Sequence, residues 1–110
     1  MSRKPWQLTS QAYASMVEIG EWTKDHFGER QADVYLEAMI AQCEAVSEGT
    51  AIMQSCGVVV GQDLLDDLRF TRSGQHFIVF VETGTSISIV DFVHQREDLA
   101  GKVKALDRKR

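Results

Sequence analysis

The sequence predicts an α+β fold: an antiparallel sheet with a helical hairpin packed on one face. Three observations predict it. Two runs of β-branched and aromatic residues, His76–Glu82 and Ile87–Val93, flank Thr83-Gly84-Thr85, the signature of a β-hairpin. Two longer segments before residue 50 carry apolar residues three and four apart, and only a short break at Gly28 separates them. The 110 residues, 44% hydrophobic and 25% charged, allow one domain with a single core.

Taken in order, Trp6-Gln7-Leu8 reads as a short strand with Trp6 and Leu8 on one face. Thr9 or Ser10 offers an N-cap for a helix running to about His26. Ala12, Met16, Ile19, Thr23 and Phe27 form its stripe, with Tyr13, Val17 and Gly20 beside them. Gly28 stops this helix. A second runs from about Arg30 to Ser47, with Ala32, Leu36, Met39, Cys43 and Val46 facing the core and Tyr35 and Ile40 flanking; Gly49 ends it. So short a break at Gly28 makes the two helices turn back on each other.

The next stretch is less legible. Gly57-Val58-Val59-Val60-Gly61 reads as a short strand or an apolar loop. The carboxylates of Asp63-Leu64-Leu65-Asp66-Asp67 suggest a hard cation, but the two leucines break the alternation of a calcium loop, so a solvated turn is expected. Leu68–Arg72 alternates like a strand, and Ser73-Gly74 turns into the hairpin. In the hairpin Phe77, Val79 and Val81 share one face and His76, Ile78 and Phe80 the other. Both faces are mostly apolar, which places the hairpin centrally, under helices. The expected order is β-α-α-β-β-β, with a short helix possible after Glu97.

Charge is unevenly spread. The last ten residues hold Lys102, Lys104, Arg108, Lys109 and Arg110 against Asp107, so this basic tail from about residue 101 carries +4 and the rest −8 of the net −4. An acidic body is a poor general nucleic-acid binder. The tail itself is expected to be a solvated, frayed end. No apolar run approaches the ~20 residues of a membrane helix. The basic Met1–Pro5 leads into no hydrophobic region, so a secretory signal is not expected and a cytoplasmic protein is. Cys43 and Cys56 lack partners at ligand spacing; two reduced thiols, no metal and no cofactor are expected.

Four fragments then carry a family resemblance: Trp6-Gln7-Leu8-Thr9 before an acidic helix, Gly28–Leu36, Leu68-Arg69 with Gly74–Phe80, and Val93–Leu99. In this order and spacing, over most of the chain, they resemble a ParE-type toxin of the RelE/ParE superfamily, with Phe80 where tyrosine is common and Glu97 where methionine is common. The resemblance implies a single toxin domain and one half of a type II toxin–antitoxin pair. Its implied antitoxin is ParD-like, a ribbon-helix-helix DNA-binding dimer whose disordered C-terminal segment folds around the toxin. DNA would then be met only through that complex. In the ParE branch the implied target is DNA gyrase, bound stoichiometrically so that cleaved DNA persists. In the RelE branch it is ribosome-bound mRNA, which is cut.

Residue chemistry separates the branches. An RNase needs a general base, a general acid and cations around the scissile phosphate, and His76, His94, Arg69, Arg72 and Arg96 are the candidates. The acidic body, with no lysine between Lys24 and Lys102, and the loss of a phenol at Phe80 weigh against this. The expectation is therefore a non-enzymatic gyrase binder. Trp22, Phe27 and Tyr35 would lie at the antitoxin groove, where an apolar helix docks and a strand adds to the sheet edge. Arg69, Arg72, His94 and Arg96 would meet the target. The alternatives are the mRNA interferase and a non-toxic co-repressor. A plain structural role stays open for each polar residue: His94 as a cap, Arg96 paired with Asp98, and Arg69 paired with Asp66 or Asp67.

Overall fold

The computed structural model describes residues 3–57 and 68–109. Its elements are β1 (Trp6–Leu8), α1 (Ser10–Phe27), α2 (Glu29–Glu48), β2 (Gln54–Ser55), β3 (Leu68–Ser73), β4 (His76–Glu82), β5 (Ile87–His94) and α3 (Leu99–Lys109). The strands form one sheet in the order β1-β5-β4-β3-β2. Thr9 caps α1, its hydroxyl oxygen accepting from Ala12 N–H at 3.1 Å. Gly28 (φ 94°) and Gly49 (φ 78°) end the two helices with backbone that side-chain-bearing residues rarely adopt.

Two features differ from the sequence reading. The sheet is mixed, because β1 runs parallel to β5 with Trp6 opposite Ile87. Two helices separate β1 from the next strand, so no tight turn dictates its direction, and three residues encode none. In addition, β2 pairs with the start of β3 at the far edge. It is two exposed polar residues with no alternation to reveal it. The Val58–Gly61 part of the apolar stretch and the Asp63–Asp67 turn lie outside the described residues.

Both sheet faces are covered, as the two-sided apolar hairpin requires. On one face α1 and α2 bury Ala12, Met39, Cys43 and Val46 against Ile78, Phe80, Ile87, Ile89 and Phe92. On the other, α3 packs over Leu68, Val79, Val90 and Val93. The basic tail is therefore no frayed end. Leu99, Val103 and Leu106, spaced at four and three, anchor it, and Val103 is fully buried. Reading that segment by charge alone passes over this stripe.

The hairpin register carries an irregularity that positions the site. Val79 pairs with Asp91 and Phe80 with Ile89, so Val90 is an extra residue in β5. Ile89 and Phe92 thus both enter the helical-hairpin core although they are three apart. Beyond the bulge the pairing is His76 with His94 and Phe77 with Val93. Without it, His76 would face Val93. The bulge also turns the Asp91 carboxylate toward α1, where it accepts from Ser15 Oγ (2.5 Å) and from Phe92 N–H (2.8 Å).

Candidate functional site

A cleft of about 790 Å³ opens where the α1–α2 turn overhangs the β3–β4 turn and the end of β5. Its floor is His76 and His94, with ring centroids 5.0 Å apart and planes nearly perpendicular at 87°. Tyr35 comes down from α2 as a lever onto this floor. Its hydroxyl lies 2.5 Å from His76 Nδ1 and accepts from Gln75 N–H at 3.0 Å. The close approach depends on Gly74, which has φ 58°; a Cβ there would sit 2.8 Å from the Tyr35 ring.

Electrostatics keep the floor uncharged at His76. Burial, joined by the neighbouring His94, pushes its imidazole down to about 4, against a weaker upward pull from Glu97. Burial raises the Tyr35 phenol, although the Gln75 hydrogen bond and the Arg72 charge oppose it. His94 is braced by its own loop: its N–H donates to Glu97 Oε1 at 3.0 Å, and its Nδ1 accepts from Arg96 N–H at 3.0 Å. Burial pulls the Glu97 carboxyl up, but the His94 amide and Lys102 outweigh it and hold it below the usual range.

The walls carry Ile19, Trp22 and Phe27 beside the polar Glu18, Thr23 and Gln31. Trp22 and Phe27 line the cleft and are 56% and 65% exposed, far more than side chains of this size need be. Trp22 stacks on His26 at 4.0 Å and meets Phe27 edge-on at 5.9 Å. These residues belong to the last two turns of α1, which form one wall of the open cleft. Trp22, Phe27, Tyr35, His76 and His94, separated by up to 72 positions, therefore share one cavity.

The three arginines do not all come to this cleft: Arg69 is remote, while Arg72 and Arg96 lie at its rim. Arg69 sits at the opposite end of β3, facing Phe80, and its guanidinium reaches Glu82 at 3.3 Å. Its expected partners Asp66 and Asp67 lie outside the described residues. Arg72 is paired with Phe77 on the other sheet face, 6.0 Å over that ring, and donates to Gly74 O at 3.0 Å and to Gln95 Oε1. Arg96 is exposed; among the described residues it forms no ion pair with Asp98, and the pair at this corner is Glu97–Lys102 at 3.1 Å. The hairpin register alone places Arg69 away from the histidines. The bulge that aligns the histidines and the Tyr35 contact have no local sequence signal.

The remaining chemistry is structural. Cys43 is buried and its thiol is pushed up to about 12, which leaves it inert. Cys56 is also buried and not in a disulfide. Among the described residues no three histidine, cysteine or acidic side chains gather as a metal site, and no helix is long and apolar enough to cross a membrane.

Residues 7–99 match the family described as ParE toxin of the type II toxin-antitoxin system, parDE. The chain belongs to the ParE toxin family. One curated relative, Toxin ParE1 of Caulobacter vibrioides, is 27% identical to this ParE-family chain over 92 residues, covering 84% of the chain and 90% of the relative. A solved structure of a chromosomal ParDE TA system from P. aeruginosa shares its fold, with a TM-score of 0.62 at 14% identity, covering 84% of this chain and 96% of that one. The order and kind of the elements thus agree with the family that the four sequence fragments resemble.

Proposed function

We propose that this ParE-family toxin acts by stoichiometric binding to DNA gyrase and makes or breaks no bond itself. A ParD-like antitoxin neutralises it by laying an apolar helix across Trp22, Phe27 and Tyr35, with an extended portion added at the sheet edge. The observation that carries the reading is the open aromatic cleft in a member of a toxin family. Burying an exposed Trp or Phe contributes about 1.5–3 kcal/mol each, enough for a few such anchors to offset the ordering of a disordered partner segment.

The remote position of Arg69 supports binding over catalysis. A phosphate at the histidine floor would meet no guanidinium of Arg69, which is held at the other end of the strand. His76, kept neutral and bonded to Tyr35, lacks the charge that would stabilise a developing oxyanion. The target surface proposed is the corner of Arg72, His94 and Arg96, where β3 and β5 end and β4 begins. DNA is met only through the antitoxin complex.

The test is a gyrase supercoiling and DNA-cleavage assay with purified toxin, repeated with antitoxin added. Loss of supercoiling or accumulation of cleaved DNA, reversed by antitoxin, is expected. Trp22→Asp and Phe27→Asp should each weaken antitoxin capture at least tenfold. Ribosome-dependent mRNA cleavage with gyrase unaffected would overturn the mechanism, and expression without growth arrest would point to a co-repressor.

A further inference from the structure

The two imidazoles on the cleft floor are held in one tautomer each by their neighbours. Arg96 N–H donates to His94 Nδ1 at 3.0 Å, so that nitrogen bears no hydrogen and the ring proton sits on Nε2. Tyr35 Oη already accepts from Gln75 N–H, and its own hydrogen has His76 Nδ1 as acceptor at 2.5 Å. With the phenol as donor in this contact, His76 also carries its proton on Nε2. Among the described residues neither Nε2 has a protein partner, and no buried side-chain nitrogen lacks one. Both Nε2–H groups are thus open to solvent, on side chains that line the cleft. Two donors on rings 5.0 Å apart share a floor walled by Trp22 and Phe27.

We infer that this floor is a hydrogen-bond site for a neutral acceptor, an amide carbonyl of a partner peptide, whose adjoining apolar side chain seats against Trp22 and Phe27. The inference rests on the reading that the cleft receives a partner segment, and it adds what that segment presents at its deepest point. A wholly apolar insert would strip water from two N–H groups and leave them unpaired. A cation would meet two donors. A carboxylate would meet the Glu18 side chain on the same wall. An amide oxygen has no charge and two lone pairs, the number needed to accept from two donors.

The experiment uses the full chain, freed of antitoxin and labelled with ¹⁵N at histidine and tryptophan. N-acetyl-L-leucinamide is titrated in, and N-acetyl-L-leucine in parallel. The free protein should show the Nε2–H tautomer at both rings. The amide should shift His76 Nε2, His94 Nε2 and the Trp22 indole together, and should bind several-fold more tightly than the acid. Tyr35→Phe should release the His76 ring into a mixture of tautomers and weaken the amide by up to about tenfold, the range of one hydrogen bond. His94→Phe, which removes a donor without touching Tyr35, is the second variant should Tyr35→Phe not fold. An Nδ1–H tautomer in either ring, equal or tighter binding of the acid, or a shift at Trp22 without the histidines would overturn the inference. Antitoxin capture by Trp22→Asp is measured separately. Capture unaffected by Trp22→Asp, with the amide still bound at the histidines, would remove the partner reading and leave the acceptor site standing.

Discussion

Acidification isolates the energetic role of His76. Its imidazole is depressed from 6.5 to about 4 in the native protein. Between those values the unfolded chain binds a proton there that the folded chain does not, so stability falls as pH falls through this window. Above 6.5 neither state is charged at this ring, and below 4 both are, so the contribution is flat outside it. The full displacement corresponds to roughly 3 kcal/mol at most. The ring is only partly buried, and solvent screening reduces this to about 1–2 kcal/mol. The assay is urea unfolding at a series of pH values for the natural chain and for His76→Gln, which keeps an acceptor for the Tyr35 hydroxyl. The difference between the two should change by about 1–2 kcal/mol between pH 7 and pH 4. The Glu97 carboxyl, held below its usual range, loses its contribution only as pH drops below that range, and it does so in both chains, so it cancels. Parallel stability profiles, or a His76 NMR titration with its midpoint near 6.5, would refute the reasoning.

Three further substitutions probe the frame. Val103→Ala hollows the contact between α3 and the sheet and should cost about 1–3 kcal/mol in denaturant unfolding, with antitoxin capture preserved because the cleft lies on the other face. Gly74→Ala combines φ 58° with a Cβ 2.8 Å from the Tyr35 ring; about 1–3 kcal/mol should be lost, and the Tyr35–His76 contact should disappear from NMR spectra. Asp91→Ala leaves Ser15 Oγ and the Phe92 amide without their acceptor at a site 6% exposed, so the melting temperature should drop by the equivalent of about 1–3 kcal/mol.

Periodicity made the two helices and the hairpin legible because their burial patterns are long and regular. Ser10–Phe27 and Glu29–Glu48 end within a residue or two of the glycines that announce their limits. The elements that escaped are those whose stability comes from partners. β2 is two polar residues held by β3, and the direction of β1 is set by β5. At the site, Trp22, Phe27 and Tyr35, grouped from the sequence at an antitoxin groove, line one cleft with both histidines. What was hidden is the single extra residue, Val90, that brings His94 opposite His76. Arg69 was grouped with them on residue type, although counting from the turn at Gly74 already pairs it with Phe80. The stripe of Leu99, Val103 and Leu106 was equally visible, behind the lysines.

The parallel pairing of Trp6 with Ile87 has a consequence for when this molecule becomes competent. Its first strand finds its place only beside its last, so closure spans nearly the whole chain, and such non-local pairing slows folding relative to a helical bundle of the same size. The cleft inherits the delay: one wall comes from residues 22 and 27, and the floor is finished only by residue 94. A chain interrupted before its final strand has the aromatic wall and His76 but lacks the His94 half of the floor. On the function proposed above, such a chain should fail to hold its antitoxin in a capture assay.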